Sequence, residues 1–309
     1  MNLEHELHKT SGFTNLELLA REVVEGFIAG MHKSPFHGFS AEFAEHKIYN
    51  QGESTRHIDW KLFAKTDKLY TKRYDEETNL RCHIILDNSA SMHYPNLGQM
   101  SISTLNKVGF SALAAASMMH ILKKQRDAVG LSVYSDTYEY YAPEKGSERH
   151  HRMLLEQLNA AVISTPKTAP TNTYQYLHHI AEKIHRRSLI FIFTDMFQTT
   201  VASKQLFEAL RHLKHNKHEV VLFHVFDKAK EFQFNFDNAP RRFVDVETNV
   251  YLDLYAENIK EAYETKVQEF FNAIKLNCGQ YQIKYVEADI NANFDKILTT
   301  FMLERNKFA

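Results

Sequence analysis

The sequence predicts an α/β fold, a doubly wound and mainly parallel sheet with an N-terminal α+β extension, on three observations. First, two apolar runs of strand length, Cys82 to Leu86 and Leu189 to Thr194, each stop on a carboxylate, Asp87 and Asp195. Neither holds Gly or Pro, and each is nearly continuous in its apolar character, as suits a strand covered on both faces. Second, further short apolar runs alternate with longer segments of helical periodicity, the order from which right-handed β-α-β units are built. Third, a chain of 309 residues can bury a sizeable core.

The elements follow in order. Residues Asn15 to Ala29 carry Leu16, Leu19, Val23 and Phe27 at helical spacing, with Thr14 or Asn15 as the cap. A loop from Gly30 to Ser40 leads to Glu42 to Tyr49, which alternates as a half-buried strand does. A short helix over Arg56 to Ala64 holds the only tryptophan, Trp60, and Leu69 to Tyr74 alternates again before the acidic Asp75-Glu76-Glu77. Arg56 and Asp59 stand three apart on that helix and read as a salt bridge, with Trp60 as a core anchor. Residues 1–78 offer too little apolar surface for a core of their own, so they are expected to pack on a second domain spanning 79–309.

That second domain opens with the strand ending at Asp87. A long helix is expected from Ile102 to Lys124, small and apolar almost all round from Phe110 to Met119, hence buried against the sheet. Ala128 to Ser135 reads as a strand with Tyr138 to Ala142 as its short neighbour, and Arg149 to Leu158 as a helix. The turn Pro170-Thr171-Asn172-Thr173 precedes a helix from Tyr174 to Arg187 and the strand ending at Asp195. A helix from Lys204 to Lys214, a strand from Glu219 to Phe226, and a small β insertion near 230–254 come next. Helix Ala256 to Leu276, strand Tyr281 to Val286 and helix Asn293 to Arg305 complete the order. Open α/β sheets bind ligands just beyond the carboxyl ends of their strands, which is where Asp87 and Asp195 fall.

Composition excludes several functions. Lys and Arg number 37 against 38 Asp and Glu, so no net field favours nucleic acid or an anionic membrane. No run of about twenty apolar residues and no basic start followed by an apolar stretch occurs, which predicts a cytoplasmic protein without a membrane span. Cys82 and Cys278 sit in or beside apolar segments and read as reduced core thiols. Of the 18 histidines, His212, His215, His218 and His224 cluster in sequence but lack the helical spacing of a zinc site, so they read as solvated or core residues. Neither a phosphate-binding glycine loop nor a nucleophile elbow around Ser89 is present.

What the strand-end loop does offer is Asp87-x-Ser89-x-Ser91, three hard oxygen ligands in one turn, of the kind Mg²⁺, Mn²⁺ or Ca²⁺ accepts. The alternative is a strand-to-helix turn in which Ser89 or Ser91 caps the helix that follows. Taken with the Thr171-x-Thr173 turn and with Thr194-Asp195 at a second strand end, the arrangement resembles the metal-ion-dependent adhesion site of von Willebrand factor type A domains. The resemblance implies a metal site made of Asp87, Ser89, Ser91, Thr171 and Asp195, with Thr173 as the alternative to Thr171.

Residues Phe39 to Glu77 narrow the resemblance. Glu42-Phe43 with Glu45 and Tyr49, then Gly52, then Arg56-His57-Ile58-Asp59-Trp60, then Lys68-Leu69-Tyr70, is similar to the bacterial family called domain of unknown function 58. Its members carry this segment before a von Willebrand factor A-like domain. The chain departs from the family at Glu53-Ser54, where an acidic pair is usual, and in lacking N-terminal membrane segments. The resemblance implies an AAA+ ATPase of the MoxR type as partner. The expected function is therefore metal-dependent protein binding without catalysis, an acidic partner residue completing the coordination of Mg²⁺ or Mn²⁺. The alternative is a metal-assisted hydrolase using a Mg-activated water at the same site. The loops supply ligands and no general base, which favours binding.

Overall fold

The computed structural model describes residues 15–31, 46–48, 63, 65–66, 70–72, 80–97, 100–135, 138–164, 173–196, 200–244 and 250–307. Its central feature is a six-stranded sheet. In chain order the strands of that sheet are β3 (Arg81–Asp87), β4 (Ala128–Tyr134), β5 (Tyr138–Lys145), β6 (Leu189–Thr194), β7 (Glu219–Phe226) and β10 (Lys284–Asp289). They lie side by side in the order β10-β7-β6-β3-β4-β5, all neighbours parallel except the β4–β5 hairpin. The chain runs outward from β3 first to one side and then to the other, so the reversal falls between β3 and β6. Asp87 and Asp195 therefore come to adjacent strand ends.

The helices of this part of the chain are α2 (Lys107–Lys124), α3 (Glu148–Ile163), α4 (Thr173–Lys183), α5 (Thr200–His215), α6 (Ala256–Gln280) and α7 (Asp295–Asn306). The first three turns or so of α1 (Leu16–Met31) belong to the same compact unit, which comprises Met1–Phe27 and Leu80–Phe308. Asn15 caps α1, its Oδ1 accepting from Leu18 N at 3.1 Å. A second unit, Ile28–Asn79, contains a small antiparallel pair, β1 (His46–Ile48) with β2 (Tyr70–Lys72). The expected helix around Trp60 lies largely outside the described residues.

Burial follows the sequence pattern. Every residue of β6 is buried, as is all of β3 after Arg81, because both strands lie in the middle of the sheet under helices on both faces. Helix α2 is buried through nearly its whole length, from Lys107 to Leu122, which accounts for its small apolar residues. It begins at Lys107 and not at Ile102. Ser101 and Thr104 exchange backbone hydrogen bonds in a turn of their own, and Asn106 then caps the helix, its Oδ1 accepting from Gly109 N at 2.8 Å.

The insertion predicted near 230–254 contains an antiparallel hairpin, β8 (Pro240–Val244) with β9 (Tyr251–Tyr255). Ahead of it stands a single π-helical turn, Lys228–Phe232, which the sequence pattern does not announce. Asp227 caps this turn by accepting from Ala229 N and Lys230 N. Strand β10 starts at Lys284, three residues later than expected, because α6 continues to Gln280. Among the described residues no helix is long and apolar enough to cross a membrane.

Candidate metal centre

The first loop is built outward from β3. Asp87 is the last strand residue, and its Oδ1 accepts from Ser89 N at 2.9 Å while its Oδ2 accepts from Thr194 Oγ1 at 2.7 Å. Asn88 anchors the turn: its backbone N–H donates to Tyr134 O on β4, and its side chain meets His93 at 3.0 Å and Ser164 at 3.1 Å. A turn of 3₁₀ helix, Ala90–His93, follows. Ser89 stands at its N-cap position but makes no side-chain cap bond. Its hydroxyl instead lies 3.1 Å from that of Ser91. The capping explanation for these serines therefore fails, and their oxygens face each other beside the Asp87 carboxylate.

Asp195 comes from the neighbouring strand end. Its backbone carbonyl accepts a 2.9 Å hydrogen bond from His224 Nε2, and the same ring's Nδ1 meets Tyr285 hydroxyl at 2.8 Å. Burial depresses the His224 pKa to about 4, so the ring is neutral and donates through Nε2 to the carbonyl. Met196, the next residue, has φ 58°, a left-handed conformation that a side chain other than Gly adopts at some cost. Its N–H is directed to Thr194 Oγ1 at 3.2 Å, so one threonine links the turn after β6 to the end of β3.

Electrostatics tie the two carboxylates together. Asp87 and Asp195 are 3 % and 2 % exposed. Burial foremost, and then the charge of Asp195, raise the Asp87 pKa to about 6 against the opposing pull of Thr194 and Ser89. Beside Asp195 lies a cation, Lys107, from the first turn of α2. Its Nζ is 2.9 Å from Asp195 Oδ2 and 2.7 Å from Glu231 Oε1 on the π turn, with the Tyr94 ring centroid at 5.8 Å. Burial alone would lower the Lys107 pKa, but the two carboxylates outweigh it and hold the ammonium protonated. Burial raises Glu231 in turn, against the pull of Lys107.

This donor set fits a small, hard divalent cation. Two carboxylates and two hydroxyls from neighbouring loops come together, the carboxylates are desolvated and repel each other, and a cation of the protein's own already sits against one of them. Of the four, only Ser91 is partly exposed. Thr171 lies outside the described residues, as does the side chain of Thr173, the first residue of α4. Among the described residues no group of three or more His, Cys, Asp or Glu side chains could hold a metal. His218 and His224 are fully buried, and His178 Nδ1 lies 3.1 Å from His212 Nδ1.

Sequence reasoning missed Lys107, Glu231 and His224 as parts of this centre. A lysine on an otherwise apolar helix was the one available signal. Elsewhere, Ser132, His83 and Glu144 form a hydrogen-bonded chain, with distances of 2.7 Å and 2.6 Å, in the order of a hydrolytic triad. All three side chains are enclosed within the sheet, so no substrate reaches them. The chain is a means of satisfying buried polar groups across β3, β4 and β5.

Fold and site together define an α/β protein with an acidic, hydroxyl-lined centre at the reversal point of its sheet. The chain belongs to the family described as "Protein of unknown function DUF58", whose pattern matches residues 45–270. Uncharacterized proteins of Mycobacterium bovis and Mycobacterium tuberculosis are each 20% identical to it over 180 residues, covering 58% of this chain and 55% of theirs. The chain thus spans about half the length of the curated relatives it matches. Among solved structures it is similar to a conserved hypothetical protein, BatB, of Bacteroides thetaiotaomicron, with 16% identity, a TM-score of 0.43, and coverage of 74% of this chain and 99% of that one. An aerotolerance-related membrane protein of Bacteroides fragilis, with multiple mutations to serines, matches at 15% identity, a TM-score of 0.45 and the same coverage. The PilB minor pilin of Streptococcus sanguinis matches at 9% identity and a TM-score of 0.44, over 78% of this chain and 64% of the pilin.

Proposed function

We propose that the chain is a metal-dependent protein-binding module of the von Willebrand factor A type. In this reading Asp87, Ser89, Ser91 and Asp195, with Thr171 from the second loop, hold Mg²⁺ or Mn²⁺, and an acidic residue of a partner completes the coordination. The observation that carries it is the pairing of two buried carboxylates, Asp87 and Asp195, beside the 3.1 Å contact of Ser89 and Ser91 hydroxyls. Burying two like charges side by side is costly unless a cation shares the site. When bound, the ion supplies a positive centre that an anionic side chain can ligate.

The protein's own residues prepare that centre. Thr194 Oγ1 and Ser89 N each donate to one oxygen of Asp87, fixing the carboxylate plane. His224 holds the Asp195 backbone, and Asn88 ties the first loop to β4 and to the end of α3. None of these groups is placed as a general base, which supports binding over hydrolysis. The family resemblance points to a MoxR-type AAA+ ATPase as the partner. The test is capture of such an ATPase by the full chain in Mg²⁺ and in EDTA, with the parent and Asp87→Ala. Capture is expected only for the parent in Mg²⁺. Mg²⁺-dependent turnover of a phosphoester, peptide or ester substrate, lost in Asp87→Ala, would put the hydrolase in its place.

A further inference from the structure

Lys107 is the least expected member of the cluster. It is 1 % exposed, and a buried lysine is costly unless it is paired. Here it bridges Asp195 Oδ2 and Glu231 Oε1, residues contributed by β6's end and by the π turn after β7. Its backbone N–H donates to Tyr94 O at 3.0 Å, which ties the first turn of α2 to the segment following the Asp87 loop. The order of charges across the centre is thus Asp87, Asp195, Lys107, Glu231. Three carboxylates accompany one ammonium, a formal excess of two negative charges that a dication would balance.

We infer that Lys107 tunes the affinity and the ligand preference of the metal centre by sharing the Asp195 carboxylate with the ion, while Glu231 holds the ammonium in place. The inference rests on the metal-binding reading above and deepens it. A carboxylate already engaged by an ammonium donates less charge to a metal. An ion held there is bound more loosely than two unshared carboxylates would bind it. It also keeps more positive character for an outside ligand, so the residual charge favours an acidic side chain of a protein partner over water or a neutral group. Glu231 acts in the opposite sense, because it draws part of the ammonium's charge away from Asp195. Lys107 and Glu231 are positioning residues: both act on the ion through Asp195.

The two residues therefore predict effects of opposite sign, which a merely structural role would not produce. Calorimetric titration of the full chain with MnCl₂, with and without acetate as a probe for the partner's carboxylate, reads them directly. In Lys107→Met, Mn²⁺ should bind about tenfold more tightly, a small part of what Coulomb's law allows for a charge this near at protein dielectric. The increase in Mn²⁺ affinity brought by acetate should shrink in the same variant, since affinities at coupled sites change reciprocally. In Glu231→Gln, Mn²⁺ should bind severalfold more weakly, and the acetate effect should persist. Circular dichroism checks folding, and should Lys107→Met not fold, Glu231→Gln decides alone. Unchanged or weaker Mn²⁺ binding in Lys107→Met, an undiminished acetate effect there, or tighter binding in Glu231→Gln would overturn the inference while Asp87→Ala still abolishes binding. Mn²⁺ binding to Asp87→Ala as tight as to the parent removes the metal site, and the inference with it.

Discussion

Thr194 Oγ1 donates a 2.7 Å hydrogen bond to Asp87 Oδ2 and so joins the ends of two neighbouring parallel strands at the point where the sheet reverses its order. The bond spans 107 residues of sequence and is buried. It settles how the Asp87 carboxylate is turned, because Ser89 N holds the other oxygen. Thr194→Val keeps the side-chain volume and removes the donor. It should lower stability at pH 8 by about 1.5–3 kcal/mol, the usual worth of a hydrogen bond to a charged group. Urea unfolding in EDTA measures this, and a loss as large at pH 4, where Asp87 is protonated, would contradict the assignment to the carboxylate.

The raised pKa of Asp87 makes a signed prediction about pH. The folded carboxyl titrates near 6 and the unfolded one near its ordinary value of 3.8, so between these pH values the folded state holds the extra proton. Stability in EDTA should therefore fall as pH rises from about 4 to about 6, and stay low above, by about 3 kcal/mol from this group. Asp87→Asn cannot titrate and should lack that step. Its advantage over the parent should appear above pH 6 and vanish below pH 4. Parallel profiles for the two proteins would sink the prediction.

Mg²⁺ should stabilise the parent, and more at pH 8 than at pH 5, because the ion requires Asp87 ionised. Thermal melts at a fixed Mg²⁺ concentration read the shift at both pH values. Asp87→Asn should show little shift at either.

The enclosed chain of Ser132, His83 and Glu144 governs packing between β4 and β5. Burial pushes the Glu144 carboxyl up, but the hydrogen bond and charge of His83, with a backbone hydrogen bond and the charge of His185, together outweigh this and hold it below its ordinary value. Removing the ring with His83→Leu leaves that carboxylate unpaired in the interior, at a cost of about 3–5 kcal/mol. Gly130→Ala should also destabilise strongly, because its Cβ would stand 2.5 Å from His83 Nδ1 and 2.8 Å from Ala142 O. Chemical denaturation of both variants tests the pair. Native stability in either would mean the sheet repacks there without loss.

Both cysteines should be inert in the folded protein. Cys82 and Cys278 are free and buried, and burial pushes the Cys82 thiol well up and the Cys278 thiol to about 12. Iodoacetamide at pH 8 should label neither until denaturant is added, and then both. Mass spectrometry distinguishes the two conditions, and rapid native labelling of either thiol would contradict its placement in the core.

The presence of the strands, their order of appearance and the acidic strand ends are legible in the residue pattern alone. Strand β7 runs over the residues its apolar run marks, Glu219 to Phe226, because the polar His218 and Asp227 bound that run on both sides. Asp87 and Asp195 were legible for the same reason: each is the first charged residue after a buried run, and strand ends of a parallel sheet share one edge. The start of α2 was not legible, since the backbone bonds between Ser101 and Thr104 that delay it are no part of any periodicity. The company these carboxylates keep comes from the packing of distant segments. Lys107 lies 88 residues from Asp195 and 124 from Glu231, and a lysine in a helix reads as solvated until distant segments close over it. His224 reads as one more core histidine until β7 lies beside β6 and aims its ring at the Asp195 carbonyl. Hydrophobic periodicity is a local property and survives in the sequence, whereas the pairing of buried charges arises only when the sheet brings separate strand ends together.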